Sequence, residues 1–319
     1  MFGFNEVVGH EAIKQRIKQD VLNGRMPHAL MFTGPSGVGK LPMALALARY
    51  LSCPNRTTED ACGACPSCRK WEKLAHPDVH FVFPVNKGPK TSDDKPTSES
   101  YIKYWRELAV ADPYFTESDL QKAIGIESKN GLIAVAEAKS IINKLSLTAV
   151  GDGYKAVIFY LPEKMNQETA NRLLKMVEEP PVQTLFIFIT HAPEKVLQTI
   201  FSRCQSVRVM PLTKEEAARV NALKPQSEDS DADVFQELFY DLMNSIVSRD
   251  LMAALECGEA IAALDSREKQ KAFCAYAGDC MRKIFMIQRN MPQIAGVEDG
   301  EQEFYASLAQ KCGQEFCSK

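Results

Sequence analysis

The chain has 319 residues, 45% of them hydrophobic and 25% charged, with a formal net charge of −3. That length and apolar content suffice for two or three domains with their own cores. The charge balance argues against a globally basic nucleic-acid-binding protein. No apolar run approaches the ~20 residues of a membrane span, and the start is no leader, so a cytoplasmic location is expected.

Residues 11–23 carry Ile13, Ile17, Val21 and Leu22 at helical spacing, and Asn23-Gly24 ends the helix. Residues 28–33, H-A-L-M-F-T, read as a buried strand. The next eight residues, 34–41, are G-P-S-G-V-G-K-L. They meet the nucleotide-binding pattern G-x-x-x-x-G-K-[ST] everywhere except at its last position. Gly34, Gly37 and Gly39 let the backbone curl so that its N–H groups can face phosphate oxygens, and Lys40 offers a point charge to them. The hydroxyl that would hold Mg²⁺ is replaced by Leu41. A helix over 41–51 follows, so the loop sits between strand and helix as the motif requires.

Cys53, Cys62, Cys65 and Cys68 come next, as C-x8-C-x2-C-x2-C with Pro54, Gly63 and Pro66 among them. Four thiolates at this spacing can close a tetrahedral structural Zn²⁺ site, which leaves no open position for chemistry. The other six cysteines, at 204, 257, 274, 280, 312 and 317, lack metal spacing. Residues 80–85 read as a strand, and 86–100, rich in Lys, Ser, Asp and Pro, as a mobile surface excursion. Short helices over 101–109 and 118–123 belong to an insertion spanning 87–130. A helix over 133–145 leads through the G-D-G turn at 151–153 into a strand, K-A-V-I-F, over 155–159.

That strand should end in acidic residues if it served Mg²⁺ and water. It runs instead into Tyr160, Leu161, Pro162 and Glu163, with Glu163 too far along to replace the missing acids. Two metal-related positions are thus lost in two separate motifs, and hydrolysis is expected to be weak or absent. ATP or ADP would be held weakly or not at all by the loop backbone and Lys40. An amphipathic helix over 166–179 stops at Pro180-Pro181, a strand covers 184–190, a short helix 196–202 and a further strand 206–210. Strands alternating with helices imply a mostly parallel sheet covered on both faces. Thr213 and Glu216 form a capping box opening one short helix, residues 224–233 are a polar linker, and everything from 234 onward is helical in period.

Taken with the loop, the four cysteines and L-L-K-M-V-E-E-P-P at 173–181, the S-R-C triplet at 202–204 makes the first 210 residues similar to the clamp-loader subunits of bacterial DNA polymerase III, members of the AAA+ family. The resemblance implies an α/β AAA+ fold, a parallel sheet with helices on both faces and an inserted zinc module at 53–68. It implies an AAA+ domain over 1–210, a reduced lid and linker over 211–233, and an all-α collar-like domain over 234–319 that is short for a complete collar. It also implies that Arg203 is an arginine finger acting in trans on ATP held by a neighbouring subunit. Motor subunits of this family, gamma and tau, keep the hydroxyl and the acids. Leu41, Tyr160 and Leu161 place the chain with the delta-prime type, a non-hydrolytic stator. Its implied partners are the gamma/tau and delta subunits of a hetero-pentamer and, through that assembly, the sliding clamp and primer–template DNA, with no membrane. Two other readings stay open: an active gamma/tau-type ATPase motor, and a zinc-stabilised DNA-binding adaptor.

Overall fold

The computed structural model describes residues 2–127, 129–146, 154–224, 231–264, 267–291, 295–297 and 301–311. It divides into two compact units, Met1–Pro225 and Gln226–Lys319. The turn expected at 151–153, residues 225–230 of the polar linker, and Cys312 and Cys317 lie outside the described residues.

The first unit is built on a five-stranded sheet in the order β2-β3-β4-β1-β5. Its strands are β1 Ala29–Thr33, β2 Val79–Val82, β3 Lys155–Tyr160, β4 Thr184–Thr190 and β5 Gln205–Arg208. Every pairing is parallel. Every residue of β1, β3 and β4 is buried, which is why these strands read as unbroken apolar runs rather than alternating ones. Alternation survives as a sorting between faces. Leu30, Phe32, Ile158, Tyr160, Ile187 and Ile189 join one core. Ala29, Met31, Val157, Phe159, Phe186 and Phe188 join the other. The edge strand β5 is mostly exposed and polar, which discourages pairing with another chain. Strand β2 stops earlier than the pattern suggested, because Pro84 has no N–H to give the ladder.

Helix α1 (Glu11–Leu22) packs on α2 (Lys40–Ser52), whose residues are all buried. A helix apolar on every side is an internal helix. Helix α3 (Pro66–Trp71) carries Pro in its first turn, α4 (Ile102–Ala111) and α5 (Glu117–Ile124) form the insertion, and α6 (Val135–Ser146) follows. Helix α7 (Gln167–Glu178) starts where the Asn166 side chain accepts from the Thr169 N–H at 2.8 Å, and buries Ala170, Leu173 and Val177 at helical spacing. Short α8 (Gln198–Phe201) and α9 (Lys214–Leu223) complete the unit, and α9 carries the anticipated Thr213/Glu216 capping box.

The insertion is more embedded than its composition suggested. Trp105 is buried and stacks on Phe81 at 4.2 Å between ring centroids and on Phe83 at 5.8 Å. The segment before α4 has little regular structure, yet it is tied down. Ser98 donates from its N–H and hydroxyl to the buried Glu137 carboxylate at 2.7 and 3.0 Å, and the Gly88 N–H donates to the Tyr101 hydroxyl at 3.0 Å. Such long-range bonds are invisible to composition.

The second unit contains α10 (Asp231–Ser248), α11 (Leu251–Ala262), α12 (Arg267–Gln288) and a final described helix, Gln302–Lys311. Its core is Phe235, Phe239, Met243, Phe273, Cys280, Ile284, Tyr305 and Leu308. No strand occurs among its described residues, and no described helix is long and apolar enough to cross a membrane.

Phe188 is fully buried and stacks on Phe159 at 4.8 Å. Phe188→Ala should cost about 3–5 kcal/mol in urea unfolding. Val182, 90% exposed, is the control: Val182→Ala should stay within about 0.5 kcal/mol.

Candidate functional site

The glycine loop leaves β1 at Thr33 and enters α2 at Lys40. Gly34 has φ +144°, and a Cβ there would lie 2.2 Å from the Val209 carbonyl oxygen, so the loop can start only at glycine. Gly39 caps α2 in the left-handed region, with φ +94°, and a Cβ there would lie 3.3 Å from the Tyr114 ring.

Lys40 is only 3% exposed. Its ammonium donates to the Gly34 carbonyl at 2.6 Å and to the Pro35 carbonyl. Burial holds its pKa down at about 8, while the charge of Glu163 pulls the other way. The lysine is thus satisfied inside its own loop.

The two positions where the sequence expectation misses a metal ligand hold the buried side chains of Leu41 and Tyr160. Leu41 is buried in the core shared with α2 and β3. Tyr160 is buried at the end of β3, its hydroxyl donates to the Phe115 carbonyl of the insertion at 3.3 Å, and its ring packs on Phe115 at 5.2 Å. Burial pushes the Tyr160 phenol far above its ordinary range, so it carries no charge.

Glu163, three residues past Tyr160 in the chain, is returned toward the loop. Leu161 takes a left-handed conformation, φ +59°, and Pro162–Lys164 form a 3-10 turn. The chain doubles back, and the Glu163 carboxylate accepts from the His191 N–H at 3.2 Å and from the Thr190 side chain. Burial raises its pKa above the ordinary carboxylate range. Glu163 therefore stands at the end of β4, within electrostatic reach of Lys40. No periodicity signals that return; the only hint was Pro162 next to the strand end.

The insertion also reaches the loop. Tyr114 is buried against Gly39, accepts from the Val8 N–H at 3.0 Å, and packs with Val8, Val220 and Leu212. Beside it a cavity of about 620 Å³ is lined by Val7, Val8, Pro42, Tyr114, Arg219 and Leu223 among others.

The cysteines form a second site. Cys53 ends α2, Cys65 caps α3 and Cys68 lies within it, and all four sulfurs fall within 4.8 Å of one another. Cys53 Sγ and Cys65 Sγ are 3.9 Å apart. A tetrahedral Zn–S₄ centre with bonds of about 2.3 Å has sulfurs ~3.8 Å apart, whereas a disulfide requires about 2.05 Å. The donor set therefore fits one metal ion. Backbone N–H groups of Cys62 and Cys68 donate to Cys53 and Cys65 sulfurs at 3.3 and 3.4 Å, which favours the thiolate form. Hydrogen bonds from the Ala64 and Cys65 backbone hold the Cys62 thiol at about 6, while burial pushes Cys68 up to about 12.

Arg203 follows α8, and its hydrogen bonds reach neither the loop nor the cysteines. Its Nε and Nη2 donate to Glu178 Oε1, and Nη1 donates to the Thr199 carbonyl at 2.8 Å. Its side chain remains 33% exposed. Cys204 is turned inward, donating to the Ile200 carbonyl at 3.3 Å, so the triplet presents only its arginine as a long cation.

Comparison with known proteins finds the family described as "DNA polymerase III, delta subunit" over residues 9–213. DNA polymerase III subunit delta' of Bacillus subtilis (strain 168) is 29% identical over 59% of this chain and 44% of its own length. The delta' subunit of Pseudomonas aeruginosa is 29% identical over 68% of this chain and 53% of its own. DNA polymerase III subunit gamma/tau of Mycobacterium bovis is 30% identical over 63% of this chain and 27% of its own. The matched region thus spans about half or less of these relatives.

Reduced protein should carry about one metal ion per chain by elemental analysis. Cys68→Ser should remove that ion and lower the melting temperature, because three ligands cannot close the site and the module loses its cross-link. Metal-free protein with an unchanged melting temperature would show that the cluster is only packing.

Proposed function

This chain belongs to the DNA polymerase III delta-subunit family, and on that premise we propose that it is a delta-prime-type stator of a clamp loader. It does not turn over ATP itself. It supplies Arg203 to ATP held by a neighbouring subunit while the assembly loads the sliding clamp onto primed DNA. Residues 1–210 serve as the AAA+ domain, 211–233 as a shortened lid and linker, and 234–319 as a collar-like domain. The neighbours are gamma/tau and delta subunits in a hetero-pentamer in the cytoplasm. The four cysteines hold Zn²⁺ as a structural ion, with no position left for chemistry.

One observation carries the reading. Both positions that would serve Mg²⁺ are occupied by buried side chains, Leu41 and Tyr160, while the half-buried arginine of S-R-C keeps 33% of its side chain accessible. An ATPase needs a ligand for the metal and an orienting group for water. Neither a leucine in the core nor an uncharged, buried tyrosine provides one. A guanidinium offered from outside needs none of this machinery; in GTPases such a group is worth on the order of 10³–10⁵ in rate. Nucleotide binding without turnover stays open to this site, since the loop backbone and Lys40 are kept.

The gamma/tau relative of Mycobacterium bovis matches at 30% identity against 29% for the delta' subunit of Bacillus subtilis, so the motor reading is the one to test against. The isolated chain should show no ATP hydrolysis above background. Leu41→Thr should not restore it, because Tyr160 still stands in place of an acid. Robust turnover by the wild-type chain, abolished by Lys40→Ala, would favour the motor instead.

In a complex reconstituted with the gamma/tau and delta subunits, Arg203→Ala should leave assembly intact and slow clamp loading by about tenfold or more. Arg203→Lys should rescue only in part, since an ammonium lacks the planar fork. Loading at the wild-type rate across an ATP titration would remove Arg203 from the chemistry.

A further inference from the structure

Arg203 does not stand alone. Most of its N–H donors are already engaged: Nε and Nη2 converge on one oxygen of Glu178, and Nη1 meets the Thr199 carbonyl at 2.8 Å. Nη1 also lies 3.4 Å from the Ser202 hydroxyl. Both side chains of the ion pair are substantially exposed, 33% for Arg203 and 45% for Glu178. An exposed pair adds little to folding. Its geometry calls for another explanation.

The two residues are mounted rigidly. Glu178 is the last residue of α7, beside Val177, and Arg203 comes three residues after Ile200 of α8. Val177 and Ile200 are buried in the same core, with Phe201 and Cys204 packed against it. The glutamate and the backbone of the arginine therefore share one support. A long arginine side chain samples many rotamers and loses that freedom when it engages a ligand. Holding it beforehand removes that entropic cost from the reacting step.

We propose that Glu178 is a positioning residue for Arg203. Its Oε1 holds the side edge of the guanidinium, so that the remaining Nη2 N–H and the charge are presented to a phosphate bound by the neighbouring subunit. This rests on the reading of Arg203 as a finger in trans. The competing role is a latch, in which the carboxylate neutralises Arg203 until it is displaced. The two roles differ in what they need. A brace needs one acceptor oxygen, and both N–H bonds do end on one oxygen, which a glutamine amide also offers. A latch needs the charge.

The test uses the full chain in the reconstituted complex, with assembly confirmed by gel filtration for each variant. The readout is clamp-stimulated ATP turnover as kcat and KM. Glu178→Ala should lower kcat by about tenfold with KM for ATP unchanged, as expected when a group acting in the transition state is released. Glu178→Gln should recover most of the rate. Adding Arg203→Ala to Glu178→Ala should make the complex no slower than Arg203→Ala alone, since both act through one guanidinium. Wild-type kinetics for Glu178→Ala beside a slow Arg203→Ala would overturn this inference and leave the finger standing. A faster Glu178→Ala complex would overturn it in favour of a latch, and a Glu178→Gln complex as slow as Glu178→Ala would overturn the single-oxygen brace. Wild-type kinetics for Arg203→Ala would overturn the finger and the brace together.

Discussion

Burial of β1, β3 and β4 on both faces is the constraint from which the rest of the first unit follows. Parallel strands send all their carboxyl ends to one edge of the sheet, where a polar loop must leave a water-excluding core. At that edge a metal-dependent ATPase would keep a hydroxyl and one or two acids. Here Leu41 and Tyr160 extend the core up to the loop, and Glu163 Oε2 and the His191 ring nitrogens are buried there without a hydrogen-bond partner among the described residues. Lys40 bonds to its own loop, and Glu163 to the end of β4.

Helix α2 ties this edge to two modules that look separate in the sequence. The four-cysteine module follows it directly and is bound back to the earlier chain. Lys18 donates to the Glu59 carbonyl at 3.0 Å, the Asn5 N–H to Asp60 at 3.2 Å, and the Tyr50 hydroxyl to the Thr57 carbonyl. The insertion stacks Trp105 onto β2 and sets Tyr114 against Gly39. The N-terminal segment, the cysteine module and the insertion thus brace one buried helix from different sides.

The two faces of the sheet divide the work. One core contains Leu41 and Tyr160, beside the closed loop. The other contains Val177 and Ile200, which carry Glu178 and Arg203. Alternating side chains on β3 and β4 feed both. The surroundings of Leu41 and Tyr160 and the support of Arg203 are thus separate, because a residue pointing to one face of a strand does not pack on the other.

Local information determined much of this protein. Unbroken apolar runs marked the central strands, helical spacing marked α1 and α7, and the glycine loop, the four cysteines and Thr213/Glu216 each sat within a short stretch where spacing alone states the chemistry. The residues at 41 and 160, Leu and Tyr where the nucleotide-binding pattern would put a hydroxyl and an acid, were legible for the same reason. The tertiary structure decided what lies between distant segments: Glu163 turned back by a left-handed Leu161, Tyr114 bonded to Val8 across 106 residues, and Glu178 paired with Arg203 across 25. Periodicity records which face of an element is buried. It does not record which partner from another element arrives there, because that depends on how the sheet orders its strands and where each loop can reach.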